Sequence, residues 1–205
     1  MKIAIFIIIS GLLLGLVEIL KRKLSLSTSV TRRMSHIGAT IIAAASPLFI
    51  SKTIIVVACF SFAITVFFLR KTKLLSSIHD VERTSYGDVF LPIGEAITAM
   101  LFLPTNILAF QFGVLIMGIS DALAGLIGEK FGKHHIQFLN NKKSLEGSLV
   151  FFVTSLILTF FFFPIFGYQL ILIPLVLTFV EFVFVFGLDN LILPMVAAFL
   201  AQLLF

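Results

Sequence analysis

The side chains best suited to metal and phosphate chemistry lie together near the middle of the chain. The stretch from Gly118 to Ser148 reads GISDALAGLIGEKFGKHHIQFLNNKKSLEGS and interrupts long runs of Phe, Leu, Ile and Val. Asp121 stands among small residues in an apolar segment, where an ionisable group is costly and functional by default. This aspartate is the first residue whose role needs an explanation.

Four glycines share one helical face with Asp121, because the spacing is three or four residues throughout. They are Gly118, Gly125, Gly128 and Gly132. One interpretation is a seam where a second helix packs closely, with a stray acid in it. The other is a carboxylate beside close backbone, which offers Mg²⁺ an oxygen ligand and leaves room for phosphate. We favour the second, because an acid is an expensive member of a packing seam.

The segment that follows, NKKSLEGS, is typical of a helix N-terminus. Ser144, Glu146 and Gly147 lie where the free amides of such an end attract phosphate, and the adjacent Lys142 and Lys143 add positive charge. An ordinary helix cap with lysines that only set membrane topology is the alternative. The nearby GEKFGKHH does not have the spacing of a nucleotide-binding P-loop.

Composition places this chemistry in a membrane. The 205 residues are 60% hydrophobic and 12% charged, about half the usual charge of a soluble domain. We predict an all-α integral membrane protein, a polytopic bundle of about 7–8 transmembrane helices in one domain, 1–205. The predicted spans are 3–20, 35–50, 53–69, 88–104, 107–127, 147–166, 168–186 and 190–204. The last two are either full spans or a broken, re-entrant segment.

Basic residues indicate the orientation of the chain. Thirteen of the 15 lysines and arginines fall in segments 21–33, 70–83 and 129–143, on one side of the predicted bundle. The positive-inside bias puts that side in the cytoplasm. A positive face suits a soluble anion such as a nucleotide, although these residues also suit lipid headgroups. We expect a membrane lipid and a nucleotide as ligands, and no nucleic acid.

Five of the ten acids lie within or at the edge of apolar spans. They are Glu18, Glu95, Asp121, Glu181 and Asp189. Glu18 follows the pattern of an interfacial ion-pair partner of the basic run after it. Glu95 suits a site residue or a helix-packing contact equally well, and Glu181 is ambiguous.

These motifs resemble the signature of CTP-dependent membrane lipid enzymes. That group comprises dolichol and phytol kinases, CTP-using diacylglycerol kinases and phosphatidate cytidylyltransferases. The resemblance is carried by the central motif, Asp121–Ala124–Gly128–Gly132–Lys133 and then Lys143–Ser144–Leu145–Glu146–Gly147. Further elements resemble the kinase branch: Arg32, Arg33 and His36; Arg83, Gly87 and Asp88; and Asp189, Asn190 and Pro194.

Within this group the sequence resembles the kinases more than the cytidylyltransferases. The latter carry a further basic C-terminal motif, whereas no Lys, Arg or His follows Lys143 here. Besides a kinase of isoprenoid alcohols, a CTP-using diacylglycerol kinase, a cytidylyltransferase and a small transporter remain as alternatives. A transporter is disfavoured, because the acids gather on one side and no internal repeat is evident.

The resemblance implies transfer of the γ-phosphate of CTP to a lipid hydroxyl at the cytoplasmic face, with Mg²⁺ or another divalent cation bridging the phosphates. It implies Asp121 and Asp189 as metal ligands. The expected nucleotide- and phosphate-binding residues are Arg32, Arg33, Arg83, Gly128, Gly132, Lys133, Lys142, Lys143, Ser144, Glu146, Gly147 and Asn190. Besides Asp121, the catalytic candidates are His36, Asp88 and Glu95, any of which could accept the hydroxyl proton.

Overall fold

The fold is all-α, with one short β-hairpin. The structure is a computed structural model and describes residues 2–69, 86–138, 141–164 and 167–203. Eight helices lie in these ranges. They are α1 (Lys2–Leu24), α2 (Thr28–Ala45), α3 (Lys52–Leu69), α4 (Gly87–Phe102), α5 (Ile107–Phe131), α6 (Leu145–Phe162), α7 (Tyr168–Val183) and α8 (Asp189–Gln202). The antiparallel hairpin of β1 (His135–Phe138) and β2 (Asn141–Ser144) precedes α6.

Each predicted span overlaps one of these helices, but two boundaries differ. Helix α2 begins at Thr28 rather than near residue 35, because the side chain of Ser27 accepts a hydrogen bond from the amide of Val30 and caps the helix there. Arg32 and Arg33 are therefore helical residues and not part of a loop. Likewise, the predicted basic loop 129–143 contains the end of α5 and most of the hairpin.

Helix α5 changes its winding at its centre. Ile116–Asp121 forms a π turn between two α-helical segments. A π turn holds more residues than an α turn, so it rotates the side chains on either side relative to each other. The glycines contact α2 and the start of α6, while Asp121 turns towards α7 and α8.

Two further glycines allow α8 to pack tightly on its neighbours. A Cβ atom on Gly94 of α4 would lie 2.4 Å from the carbonyl oxygen of Asn190. A Cβ atom on Gly113 of α5 would lie 2.2 Å from the carbonyl oxygen of Pro194. Both distances are too short for any larger residue, so backbone contact holds the first turns of α8 against α4 and α5.

The predicted interruption near the C-terminus is a break between α7 and α8. The chain has positive φ angles at Phe186, 60°, and at Gly187, 89°. Glycine adopts this region freely, whereas a side chain as bulky as that of Phe186 is strained there. Such strain persists only where the surrounding structure imposes it, and it is common at functional sites. Here it lies between two acids, Glu181 and Asp189.

Two helices of the described residues are long and apolar enough to cross a membrane. They are Ile107–Phe131 and Leu145–Phe162. Shorter apolar helices are Lys52–Phe68, Tyr168–Val183 and Asp189–Gln202. The loops that follow α2 and α4 line one cavity of about 340 Å³, at the end of the bundle opposite the hairpin.

Replacing Gly113 by Ala is expected to destabilise the protein, because the new methyl group overlaps the backbone of α8. We expect a loss of about 1–3 kcal/mol, as for other overpacked cores, and a lower midpoint of thermal unfolding in detergent. Gly15→Ala in α1 is the matched control, since nothing lies within 4 Å of a Cβ atom there. Equal midpoints for the two variants would contradict the close packing of α5 on α8.

Candidate active site

Three carboxylates meet where α5, α7 and α8 converge, and we call Asp121, Glu181 and Asp189 the carboxylate cluster. Each offers an oxygen atom within 4.8 Å of the others. Asp121 ends the π turn, Glu181 lies in the last turn of α7, and Asp189 begins α8. The structure thus brings together the two predicted metal ligands and adds Glu181, which is 6% exposed.

Lys143 extends from β2 into the carboxylate cluster. Its Nζ atom lies 2.5 Å from Oε1 of Glu181 and 3.8 Å from Oδ2 of Asp189, and it also donates a hydrogen bond to the backbone carbonyl of Glu181. Its charge acts on Asp121 as well. Pairing with Ile136 across the hairpin fixes the backbone from which the side chain extends. Lys143 is therefore a cation that pairs directly with two of the three acids, Glu181 and Asp189.

The carboxylate cluster fits a divalent cation. Three carboxylates bring three formal negative charges, and Lys143 compensates one of them. The second oxygen of Glu181, Oε2, is buried and makes no hydrogen bond to any described residue. A buried carboxylate oxygen without a partner is unfavourable, and a hard cation such as Mg²⁺ takes oxygen ligands of this kind.

Arg33 of α2 lies beside the cluster and is held by Glu129 of α5. Its Nη2 atom lies 2.6 Å from Oε1 and its Nη1 atom 3.0 Å from Oε2, a bidentate pair. Gly125 makes room for it, because a Cβ atom there would lie 2.5 Å from Nη2. The charges of Arg33 and Arg32 both act on Asp121. The two predicted phosphate-binding arginines thus lie near the carboxylate cluster.

His36 lies on α2 between two residues that contact α5. Its neighbours on α2, Arg33 and Thr40, pack against the glycines that precede and follow Asp121 on α5. Residues separated by three and four positions lie on the same side of a helix. His36 is therefore on the side of α2 that contacts α5, at the level of Asp121.

Ser144 caps α6 beside α5, as predicted from the NKKSLEGS segment. Its Oγ atom accepts a hydrogen bond of 3.0 Å from the amide of Gly147. Gly128 and Gly132 leave space for it, since a Cβ atom on either would lie within 3 Å of an atom of Ser144. A Cβ atom on Gly147 would in turn lie 2.9 Å from the carbonyl oxygen of Ala124. The start of α6 therefore packs directly on α5, next to Lys143.

Proteins similar to this chain include a phytol kinase and a dolichol kinase. A phytol kinase from Synechocystis sp. is 34% identical over 196 residues, covering 90% of this chain and 83% of its own length. The dolichol kinase of Saccharomyces cerevisiae is 31% identical over 160 residues, which cover 72% of this chain and 30% of the yeast protein. The chain belongs to the polyprenol kinase family.

An uncharacterized protein of Methanocaldococcus jannaschii is a further relative, 29% identical over 182 residues and covering 91% of its own length. No protein-family model and no solved structure match the chain significantly. As a polyprenol kinase, it is a phosphotransferase that acts on an alcohol.

The start of α4 lies next to the carboxylate cluster of this polyprenol kinase. Asn190 donates a hydrogen bond of 2.9 Å from Nδ2 to the carbonyl oxygen of Gly87, which joins Asp88 to the first turn of α8. Glu95 lies two turns further along α4 and is 4% exposed, with the thiol of Cys59 as its partner at 3.9 Å. Of the predicted proton acceptors, Asp88 is therefore at the site end of α4 and Glu95 is deeper in the bundle.

The remaining predicted residues lie at the rim of the site or beyond it. Glu146 accepts hydrogen bonds from the amide and Nδ1 atom of His134, at 3.2 and 2.8 Å, and so ties the hairpin to α6. Lys133 is exposed. Arg83 and the side chain of Lys142 lie outside the described residues.

Two residues of the polyprenol kinase site were not assigned from the sequence. Glu181 was ambiguous, although an acid inside an apolar run is by itself a signal of function. Glu129 follows Gly125 by four residues, a spacing that places it on the same helical face. No pattern along the chain links either acid to Lys143 or Arg33, because the partners are 38 and 96 residues away.

Replacing Arg33 by Met is expected to lower the free energy of unfolding of the polyprenol kinase by about 1–2 kcal/mol. That value lies between those of exposed and buried ion pairs, because 8% of the Arg33 side chain but 37% of that of Glu129 is exposed. Arg22→Met is the control: Arg22 is 76% exposed in its pair with Glu18. Thermal unfolding in detergent measures both, and equal effects would contradict a structural role for the Arg33 pair.

Proposed function

We propose that the chain is an integral membrane kinase that transfers the γ-phosphate of CTP to the hydroxyl of an isoprenoid alcohol such as phytol, dolichol or another polyprenol. One observation carries the proposal: a partly buried carboxylate cluster suited to a divalent cation lies beside a capped helix start suited to phosphate. Family membership supports the alcohol as acceptor, and the motif resemblance supports CTP as donor.

We take the whole chain as one multi-pass membrane domain in which all eight helices contact lipid or cross the bilayer. Large apolar side chains on the outer surface support this, among them Phe161, Phe179 and Leu12, which are 82%, 68% and 66% exposed. Basic side chains concentrate near the hairpin, at the ends of α1 and α5 and at the start of α2. By the positive-inside rule the site opens to the cytoplasm, where the nucleotide is.

Phosphoryl transfer depends mainly on positioning and on neutralising the charge of the phosphates. Asp121, Asp189 and Glu181 would hold Mg²⁺, which when bound neutralises and orients the phosphate oxygens. The positive end of the α6 dipole, next to Lys143, would attract a phosphate, as helix N-termini do. Arg32 and Arg33 would add fixed positive charge towards the transferred group.

We propose that His36 accepts the hydroxyl proton of the alcohol. As the lipid oxygen bonds to the γ-phosphorus, the bond from that phosphorus to its bridging oxygen breaks and CDP leaves. The hydroxyl proton passes to the imidazole, which must lie within hydrogen-bond reach of it. The position of His36 on α2, at the same height as Asp121 on α5, supports this choice over Glu95, which has Cys59 as its partner.

Donor and acceptor are tested together with purified protein, γ-labelled CTP or ATP, and a panel of phytol, polyprenols and diacylglycerol. The proposal predicts label on an isoprenoid alcohol, with CTP preferred and divalent cation required. Asp121→Asn is expected to abolish transfer. The control, Glu18→Gln, removes the acid of the interfacial ion pair of α1 and is expected to retain transfer. Label on diacylglycerol alone, or release of pyrophosphate with a CDP-lipid, would contradict the proposal.

Replacing His36 by Gln is expected to lower kcat by about 10²–10⁴-fold, the usual contribution of general acid–base catalysis, and to leave nucleotide affinity unchanged. His135→Gln on the exposed hairpin is the control and retains activity. Steady-state kinetics with the preferred alcohol measures both. If His36→Gln retained kcat while Asp88→Asn or Glu95→Gln lost it, the proton acceptor would lie on α4 instead.

A further inference from the structure

The position of Lys143 has a consequence for how a cation enters the site. Its ammonium group lies 2.5 Å from one carboxylate of the cluster and 3.8 Å from another, the space that a metal bound to these acids needs. An ammonium and a divalent cation repel each other strongly at such a distance in a buried site. Both cannot remain between Glu181 and Asp189.

We propose that Lys143 and the divalent cation are alternative occupants of the carboxylate cluster, so that the cation displaces the lysine towards the nucleotide phosphates. The inference rests on the proposed function and adds a role for two residues. Glu181 becomes a third metal ligand, and Lys143 becomes the internal cation that stabilises the three acids before the metal binds.

The unpartnered oxygen of Glu181 supports the exchange. Lys143 binds Oε1 and leaves Oε2 buried without a hydrogen bond to any described residue, so the ammonium satisfies the cluster only in part. A divalent cation carries twice its charge and binds several oxygens at once. It therefore competes effectively for these carboxylates.

The geometry around Lys143 also gives the displaced side chain a destination. The next residue, Ser144, caps α6, so the backbone of Lys143 lies directly beside the helix start proposed to attract phosphate. A lysine side chain rotates about four carbon–carbon bonds and carries a compact charge that suits phosphate. Rotation of the side chain alone would move the ammonium from carboxylate to phosphate, with the hairpin unchanged.

The first experiment measures the wild-type protein in detergent, without nucleotide. An amine-reactive acetylating reagent modifies lysines, and mass spectrometry compares Lys143 with the exposed Lys130 in the presence and absence of Mg²⁺. The proposal predicts that Lys143 is modified slowly without Mg²⁺ and faster when Mg²⁺ is added. The rate for Lys130 is expected to stay unchanged. Modification of Lys143 that Mg²⁺ leaves unchanged or slows would overturn it.

The second experiment measures the affinity for Mn²⁺ alone by electron paramagnetic resonance. Lys143→Met is expected to raise this affinity about tenfold, since a competing charge has been removed, and Glu181→Gln to lower it about tenfold or more. Lys130→Met removes the same charge from the same basic region and is expected to change it little. An unchanged or weaker affinity in folded Lys143→Met, or no Mn²⁺ binding by the wild type, would overturn the proposal.

The acetylation arm decides the matter if Lys143→Met does not fold, since it needs no variant. Failure of the proposed exchange between Lys143 and the cation is also distinguishable from failure of the proposed function. A wild-type protein that phosphorylates an isoprenoid alcohol but shows no exchange contradicts only this inference. One that shows the exchange but phosphorylates no lipid contradicts only the kinase assignment of donor and acceptor.

Discussion

Mutual repulsion among Asp121, Glu181 and Asp189 is the constraint on which the rest of the structure depends. Three carboxylates within 4.8 Å of one another, in the interior of an apolar bundle, are unfavourable unless positive charge lies among them. Lys143 supplies that charge directly. The arginines of α2 add to it around Asp121. The cluster is stable only because five separate parts of the chain, α2, α5, the hairpin, α7 and α8, are brought to one place.

Several unusual backbone features of the described residues help to assemble this cluster. The π turn ends at Asp121, which lies along α5 between the glycines Gly118 and Gly125. The glycines of α5 let α2 and the start of α6 approach α5 closely enough to bring in Arg33 and Lys143. The strained break at Phe186 reverses the chain between Glu181 and Asp189, and backbone packing at Gly94 holds the start of α8. Local strain and small residues thus serve the site more than the bundle.

The helices and the first candidate ligands could be predicted from the sequence, because both depend on local signals. Apolar runs gave the helices, Ser144 gave the start of α6, and the isolated charge of Asp121 indicated chemistry. The π turn has no comparable signature and was not predicted. The pairs of Lys143 with Glu181 and of Arg33 with Glu129 join residues far apart in the chain. Only the packing of helices decides such contacts.

The central claim is that the carboxylate cluster holds the metal of a CTP-dependent kinase. A crystal structure of the protein with Mn²⁺ and a non-hydrolysable CTP analogue tests it most directly, through the anomalous scattering of the metal. The account predicts a peak within about 2.5 Å of oxygens from Asp121, Glu181 and Asp189, with the phosphates at the start of α6. A metal bound elsewhere, or a nucleotide bound away from α6, would contradict it.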